Sequence, residues 1–498
     1  MWRGAGASLF SAAIALSMVM AACTRPSSDS DKDAEPRRDS GSVDTADPPP
    51  DDTEESDPRD CWGPPERDTG RPTWDTGEAG DTDTGPAPVG AEPTHAASDL
   101  LISSLHHGTD GCAPATPAEH DGRAVVQCGA DLYVYDYRAA SIDAIIASKV
   151  AGFSRPSRSA DVDGDGWLDV MAHSDSGGAW VIWGPVNGSV TVESSGALEI
   201  PETDESGSLG YTMAAVDDGS GVVQLGVQAY GSSGYVDGRV YLFEGGSRAS
   251  SPLDIADAEA QILPAHGDDV EYVFNAGDFD GDGFTDLATV SPSYWESPAN
   301  YDNEGGYGIH LGPVTGTVDV DDGAVWMPTG TDADVYFYGE GAQGGDVDGD
   351  GYDDALVSLR EDPPGTDIYQ LCLVGGAASH PGEVETCAEA GSARVLVSED
   401  GGGGFAFTDL EDLDGDGRAE VVSYGGNVEA ERRIWVMSGP VSGVMYIEEE
   451  ARAILGPGEY SDFGGAFEVV SDETGPVIAV SVEMKKGSAL AFLDASGL

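Results

Sequence analysis

The sequence predicts an all-β fold, a β-propeller of about seven four-stranded antiparallel blades, preceded by a signal peptide and a disordered acidic linker. Three observations predict it. From about residue 96 onward, short β-branched and aromatic runs alternate with turns rich in Gly and Asp. A nine-residue Asp/Gly pattern recurs through that region, and a Gly-Pro turn recurs in register with it.

The strands are read from length and residue type. Val181–Trp183, Val240–Phe243 and Ile434–Met437 are short apolar runs bounded by turn residues, and no long 3.6-period segment interrupts them. The Asp/Gly pattern occurs intact four times, at Asp161–Asp169, Asp278–Asp286, Asp346–Asp354 and Asp412–Glu420. The starts are 117, 68 and 66 residues apart, so a degenerate copy is expected inside the first gap. It lies at Val216–Gly221, and another lies at Ser471–Gly475.

The second repeat reads Gly184-Pro-Val-Asn-Gly188, Gly312-Pro-Val-Thr-Gly316 and Gly439-Pro-Val-Ser-Gly443. Each follows an apolar strand and is expected to be a tight turn between the third and fourth strands of one unit. Four strands in about 60 residues make a propeller blade. Six units are placed this way, and upstream of them the strand-like Ala124–Gln127, Leu132–Tyr137 and Ile142–Ala147, after a worn turn at His120-Asp121-Gly122, supply a further one. The last unit lacks a fourth strand after Ala489–Leu493, and Leu100–Leu105 is expected to supply it and close the ring, which gives seven blades.

The Asp pattern explains its own chemistry. Side-chain oxygens at positions 1, 3 and 5 converge when the loop wraps a hard cation, position 7 offers its backbone carbonyl, and a carboxylate at 9 closes the shell. Gly at positions 4 and 6 permits the curvature. The expected ligands are Asp161, Asp163, Asp165, Trp167 and Asp169; Asp278, Asp280, Asp282, Phe284 and Asp286; Asp346, Asp348, Asp350, Tyr352 and Asp354; and Asp412, Asp414, Asp416, Arg418 and Glu420. A set of many anionic oxygens without His or Cys suits calcium better than magnesium or zinc, so about four calcium ions are expected. An EF-hand would need Glu at position 12, which is Ala172, Thr289, Val357 and Ser423 here, with strand-like rather than helical sequence around it. The copy at Val216 has lost its first, fifth and ninth carboxylates and is expected to be empty.

These loops resemble the FG-GAP repeats of integrin α-subunit-type β-propellers, found also in bacterial surface proteins. The resemblance spans residues 96–498. It rests on the Asp loop followed by an apolar strand, on Phe463-Gly464 with looser echoes at Leu209-Gly210 and Tyr338-Gly339, and on Gly238–Leu242 as a third strand. It implies calcium at positions 1, 3, 5, 7 and 9 of each intact loop, with Glu420 a departure from Asp at the ninth.

Residues 1–22 read as an export signal: Arg3 is a short positive region, and Leu9–Met20 is mostly apolar and short for a membrane span. Met20-Ala21-Ala22-Cys23 resembles the lipobox of bacterial lipoproteins, which implies a lipid on Cys23, and Thr24 after it resembles an outer-membrane address. Residues 23–95, dominated by Asp, Thr, Pro, Ser and Gly, hold too little apolar surface to fold and are expected to tether the propeller to the membrane. Beyond Cys23 five cysteines remain, with Cys112–Cys128 and Cys372–Cys387 the natural local disulfides of an exported chain and Cys61 left over.

The 91 acidic against 23 basic residues disfavour nucleic acid, because no basic patch exists to neutralise phosphates. No G-x-S-x-G or H-E-x-x-H occurs, and the eight histidines are scattered, so no enzyme is expected. Scarce basic residues argue against a polysaccharide lyase but leave a lectin open. The expected function is adhesion or protein interaction at the cell surface, with a calcium-dependent carbohydrate-binding propeller as the alternative. On the face opposite the Asp loops, Tyr294, Trp295, Tyr301 and Tyr307 are the expected ligand contacts, since amphipathic aromatics serve both partner types.

Overall fold

The computed structural model describes residues 95–498 apart from several segments, the longest of them 292–305. Cys23, Cys61, Tyr294, Trp295 and Tyr301 lie outside the described residues, as do the signal and nearly all of the linker. The described chain forms seven small, mainly antiparallel sheets. It is a seven-bladed β-propeller.

Blade 1 runs through Cys112–Glu119, Arg123–Cys128, Asp131–Asp136 and Ser141–Ala147. Blade 2 is built from Phe153–Pro156, Val170–Ser174, Ala179–Ile182 and Leu198–Ile200, and blade 3 from Ser208–Asp217, Val222–Tyr230, Arg239–Glu244 and Ala260–Leu263. Blade 4 holds Tyr272–Gly277, Asp286–Ser291, Gly306–His310 and Val325–Pro328. In blade 5 a first strand in two pieces, Val335–Phe337 and Ala342–Gly345, precedes Asp354–Glu361, Ile368–Val374 and Ala393–Leu396. Blade 6 is Gly404–Glu411, Glu420–Gly426, Arg433–Met437 and Ala453–Gly456.

Blade 7 closes the ring. Its first three strands, Asp462–Val469, Val477–Met484 and Gly487–Asp494, come from the C-terminal end, and its fourth is Leu101–His106, antiparallel to Gly487–Asp494 with Leu105 opposite Leu490. The closing strand is the one the sequence places there.

The core is divided between the blades. Strand side chains point alternately to the two faces of a blade, so neighbouring residues serve different interfaces. Val421 packs with Leu356 and Leu371 of blade 5, whereas Val422 packs with Ile478 and Val480 of blade 7. Among the described residues one apolar cluster fills each junction between successive blades, including that between blades 7 and 1, where Phe492 stacks on Tyr137 at 5.0 Å. Burial on both faces explains why these strands read as continuous apolar runs.

The Gly-Pro turns do not lead directly to a fourth strand, as the sequence suggests. Gly188–Thr191 runs parallel to Ser141–Ala147, the outer strand of the preceding blade, before the chain returns to form Leu198–Ile200. Gly316–Asp319 joins blade 3 in the same way, Gly382–Glu383 joins blade 4 and Val444–Tyr446 joins blade 5. After Ser251-Pro252, the Leu253 N–H donates to the Glu199 carbonyl of blade 2 at 2.8 Å. The turn is therefore a stitch that covers the exposed edge of the neighbouring blade.

Disulfides join Cys112 to Cys128, across the first two strands of blade 1, and Cys372 to Cys387, within blade 5. Phe463 and Leu209, from the Phe-Gly echoes, are buried beside irregularities in their first strands, and a Cβ at Gly210, where φ is +81°, would meet that of Ala179 at 2.6 Å. Tyr307 corrects an expectation. It is fully buried on Gly306–His310, in the cluster between blades 4 and 5, because neighbouring blades cover both faces of this strand. Burial pushes its phenol above the usual range, and it is no ligand contact.

Candidate metal centre

Each intact Asp loop joins the first and second strands of its blade, in blades 2, 4, 5 and 6. The loop is wound by its own carboxylates. In blade 2 the Asp161 carboxylate accepts from the N–H groups of Asp165 at 3.0 Å and Gly166 at 2.8 Å. Asp163 Oδ1 accepts from the Asp165 N–H at 3.2 Å, and Asp165 Oδ1 from the Trp167 N–H at 3.0 Å. The same bonds recur around Asp346–Tyr352 and Asp412–Arg418. The glycines at positions 4 and 6 all have φ between +72° and +94°, which L side chains adopt only with strain.

Position 2 is an apolar anchor. Val162, Phe279, Val347 and Leu413 are each buried in a junction between blades, which ties the loop to the core.

Position 9 is buried in all four loops, at 0% exposure for Asp169 and Asp286, 2% for Asp354 and 1% for Glu420. Asp169 accepts from the Val162 N–H at 2.9 Å and from the Gly184 N–H at 2.7 Å. Asp286 accepts from Phe279 at 2.8 Å and Gly312 at 2.7 Å, and Asp354 from Val347 at 2.9 Å and Gly376 at 3.0 Å. Glu420 keeps the first bond, from Leu413 at 2.8 Å. Burial pushes these carboxyls up, to about 7 for Asp169 and Asp286 and about 6 for Asp354, against the partly offsetting backbone bonds. Glu420 is raised for the same reason.

Carboxylate oxygens gather within 4.8 Å of one another in every intact loop: Asp161, Asp163 and Asp169; Asp278, Asp280 and Asp282; Asp346, Asp348 and Asp354; Asp412, Asp414 and Glu420. The fifth-position Asp165, Asp350 and Asp416 stand outside these clusters, as does the ninth-position Asp286 in blade 4. Among the described residues the degenerate loop of blade 3 forms no such cluster; there Asp218 is turned to the N–H and hydroxyl of Ser220. A hard divalent cation fits this donor set, which is all oxygen and heavily anionic. Asp278 Oδ1 supports the fit, being buried within its cluster without a hydrogen-bond partner, a costly state for a carboxylate oxygen.

The loops are chained around the ring. The position-8 N–H of one loop donates to the position-1 carbonyl of the loop before it, from Asp353 to Asp278 at 3.1 Å and from Ala419 to Asp346 at 2.7 Å. The degenerate loop takes part through Thr285, whose N–H donates to the Asp217 carbonyl at 2.9 Å, and Val222, whose N–H donates to that of Asp161 at 2.9 Å.

Two features escape a reading of the sequence. Arg248 pairs with Asp163 and Asp165, and Arg452 with Asp414 and Glu420. At the strand ends away from the Asp loops, Tyr211, Tyr272 and Phe274 form a row across blades 3 and 4, with ring centroids 6.4 and 5.9 Å apart and Tyr211 49% exposed. No signal but the aromatic residues themselves marks that row.

No family model and no curated protein matches the chain. Among solved structures it is similar to Raptor of Chaetomium thermophilum, at 9% identity and a TM-score of 0.40, over 79% of this chain and 28% of that one. The chain thus spans under a third of that protein's length.

Proposed function

We propose that this protein is an exported, lipid-anchored propeller that binds calcium in its four intact Asp loops and presents a rigid surface for adhesion or protein interaction. The observation that carries the calcium reading is that all four intact loops gather three carboxylates into one oxygen cluster, from positions 1, 3 and 9 in blades 2, 5 and 6 and from positions 1, 3 and 5 in blade 4. Asp161, Asp163 and Asp169 and their counterparts would hold the ions, which would neutralise carboxylates crowded within a few ångströms. The bound ions would stiffen the chain of loops that links blades 2 to 6. The FG-GAP resemblance, the lipid on Cys23 and an outer-membrane address belong to this same proposal. It assigns the chain no catalytic role and no nucleic-acid partner.

A glycan ligand is the second reading, favoured by the partly exposed row of Tyr211, Tyr272 and Phe274, since aromatic faces stack on sugars. Binding to a glycan array and capture of partner proteins, each with calcium and with chelator, separate the two. Calcium-dependent capture of proteins that survives Tyr211→Ala supports the first reading. Glycan binding lost in Tyr211→Ala supports the second, and no calcium dependence of either contradicts the role given to the ions.

A further inference from the structure

The four Asp loops are alike in backbone and differ in what faces them. In blade 2, Asp163 and Asp165 each spend Oδ1 on a loop N–H, which leaves their Oδ2 atoms as the outward ligands. Arg248 takes both: Nε binds Asp163 Oδ2, and Nη2 binds Asp165 Oδ2 at 3.0 Å. The Asp163 side chain is only 2% exposed beneath it. Arg248 is held there by two neighbours. Trp183 lies under the guanidinium at 5.5 Å, and the Gly246 N–H, two residues away, donates to the Val162 carbonyl at 2.8 Å. In blade 6, Arg452 does the same from another direction. Its own N–H is fixed on the Val436 carbonyl at 2.8 Å, and its Nη1 binds Asp414 Oδ2 and lies 3.5 Å from Glu420 Oε1.

Blades 4 and 5 have no such guard. Among the described residues no Lys or Arg pairs with Asp280, Asp282, Asp348 or Asp350. Other groups near these two loops form no ion pair with the ligands: the His380 ring stacks on Phe279 close enough to feel the charge of Asp280, Tyr352 packs over Gly281, and Arg418 lies against Gly349.

We propose that Arg248 and Arg452 are built-in counter-cations that compete with calcium, so that the four loops form two classes, open in blades 4 and 5 and guarded in blades 2 and 6. This rests on the calcium reading above. A cation entering a guarded loop must first displace a guanidinium from the oxygens it needs, so its apparent affinity falls by the fraction of time the guard is away. A bidentate, partly exposed arginine–carboxylate contact corresponds to roughly a three- to tenfold weakening. In return the guarded loops keep their carboxylates neutralised when calcium is scarce, so the propeller does not depend on all four ions at once.

The test is calorimetric titration of calcium into the chelator-stripped chain, beside melting in chelator and in saturating calcium. The wild type is expected to bind two ions more tightly than the other two, and Arg248→Gln to move a third ion into the tight class. Arg248 is 51% exposed, so this variant is expected to fold; Arg452→Gln should do the same for the fourth ion. Arg248→Gln should lower the melting temperature in chelator and leave it unchanged in saturating calcium, whereas an arginine with a merely structural role would lower both. Four equivalent ions in the wild type, unaltered by Arg248→Gln, would overturn the guard while leaving the calcium sites intact. No bound calcium in any variant would overturn both.

Discussion

Asp169 Oδ1 accepts a 2.7 Å hydrogen bond from the backbone N–H of Gly184, the residue that opens the Gly-Pro turn of the same blade. Its other oxygen holds the Val162 N–H inside the Asp loop. One buried carboxylate therefore fixes the loop and the stitch to the neighbouring blade together. Asp286 repeats the relation with Gly312, which gives the two sequence motifs a physical reason to travel in register, and Asp354 holds Gly376 in the same way although no Pro follows it.

Replacing this carboxylate should cost both functions. Asp169→Asn turns one acceptor into a donor that faces a backbone N–H. At pH 8 in saturating calcium the loss should be about 1–3 kcal/mol, the usual cost of leaving a buried polar group unmatched, with one bound ion lost per chain. Denaturant unfolding and metal analysis measure the two effects. An Asn variant with wild-type stability and full calcium content would contradict the latch.

A separate pH response is expected from blade 4. His310 is buried with Nε2 3.1 Å from Thr289 Oγ1, and burial pushes its pKa down to about 4. The unfolded chain takes up this proton near pH 6.5 while the folded chain resists it until about pH 4. Stability from this residue is thus complete above pH 6.5 and falls as the pH drops to 4, by about 3 kcal/mol in all. The stability of His310→Gln should fall less steeply over that window. Parallel curves for the two proteins would refute the assignment.

Ring closure can be tested by shortening the chain. A protein beginning at residue 95 retains Leu101–His106 and should melt like the whole. One beginning at residue 107 leaves Gly487–Asp494 as an open edge with Leu490 and Phe492 uncovered, and should melt lower and self-associate. Light scattering beside the melting curve distinguishes this from an equal, monomeric pair, which would mean that the closing strand is dispensable.

Much of this architecture was legible because the decisive residues act locally. The Asp loop winds itself with bonds that span two to seven residues, so its ligands and glycines must keep a fixed spacing in the chain. Blade number followed from the repeat, and the closing strand from an unpaired edge. What depended on distant pairing was hidden. The stitch of Gly188–Thr191 onto Ala144–Ala147 is a parallel contact between blades, and Arg248 meets Asp163 across 85 residues. Tyr307 was misplaced because an aromatic residue reads the same whether it ends a connection or begins a strand that is buried on both faces.

Anchoring is expected to rest on Cys23. Cys23→Ser should leave a secreted protein that no longer partitions into detergent. Continued membrane association of that variant would contradict the lipid anchor.

The central claim is that the Asp loops hold calcium and that calcium holds the propeller. Binding to the folded chain alone raises stability by about 2.7 kcal/mol per site at a hundredfold excess over the dissociation constant. The most direct measurement is the melting temperature of the chelator-stripped protein against calcium concentration, with the bound metal counted at saturation. A large rise with about four ions per chain is expected, reduced by about one ion in each of Asp163→Ala, Asp280→Ala, Asp348→Ala and Asp414→Ala, which belong to the oxygen clusters, and unaltered in Asp218→Ala. A melting temperature that calcium does not change, with no calcium bound at saturation, would contradict the account.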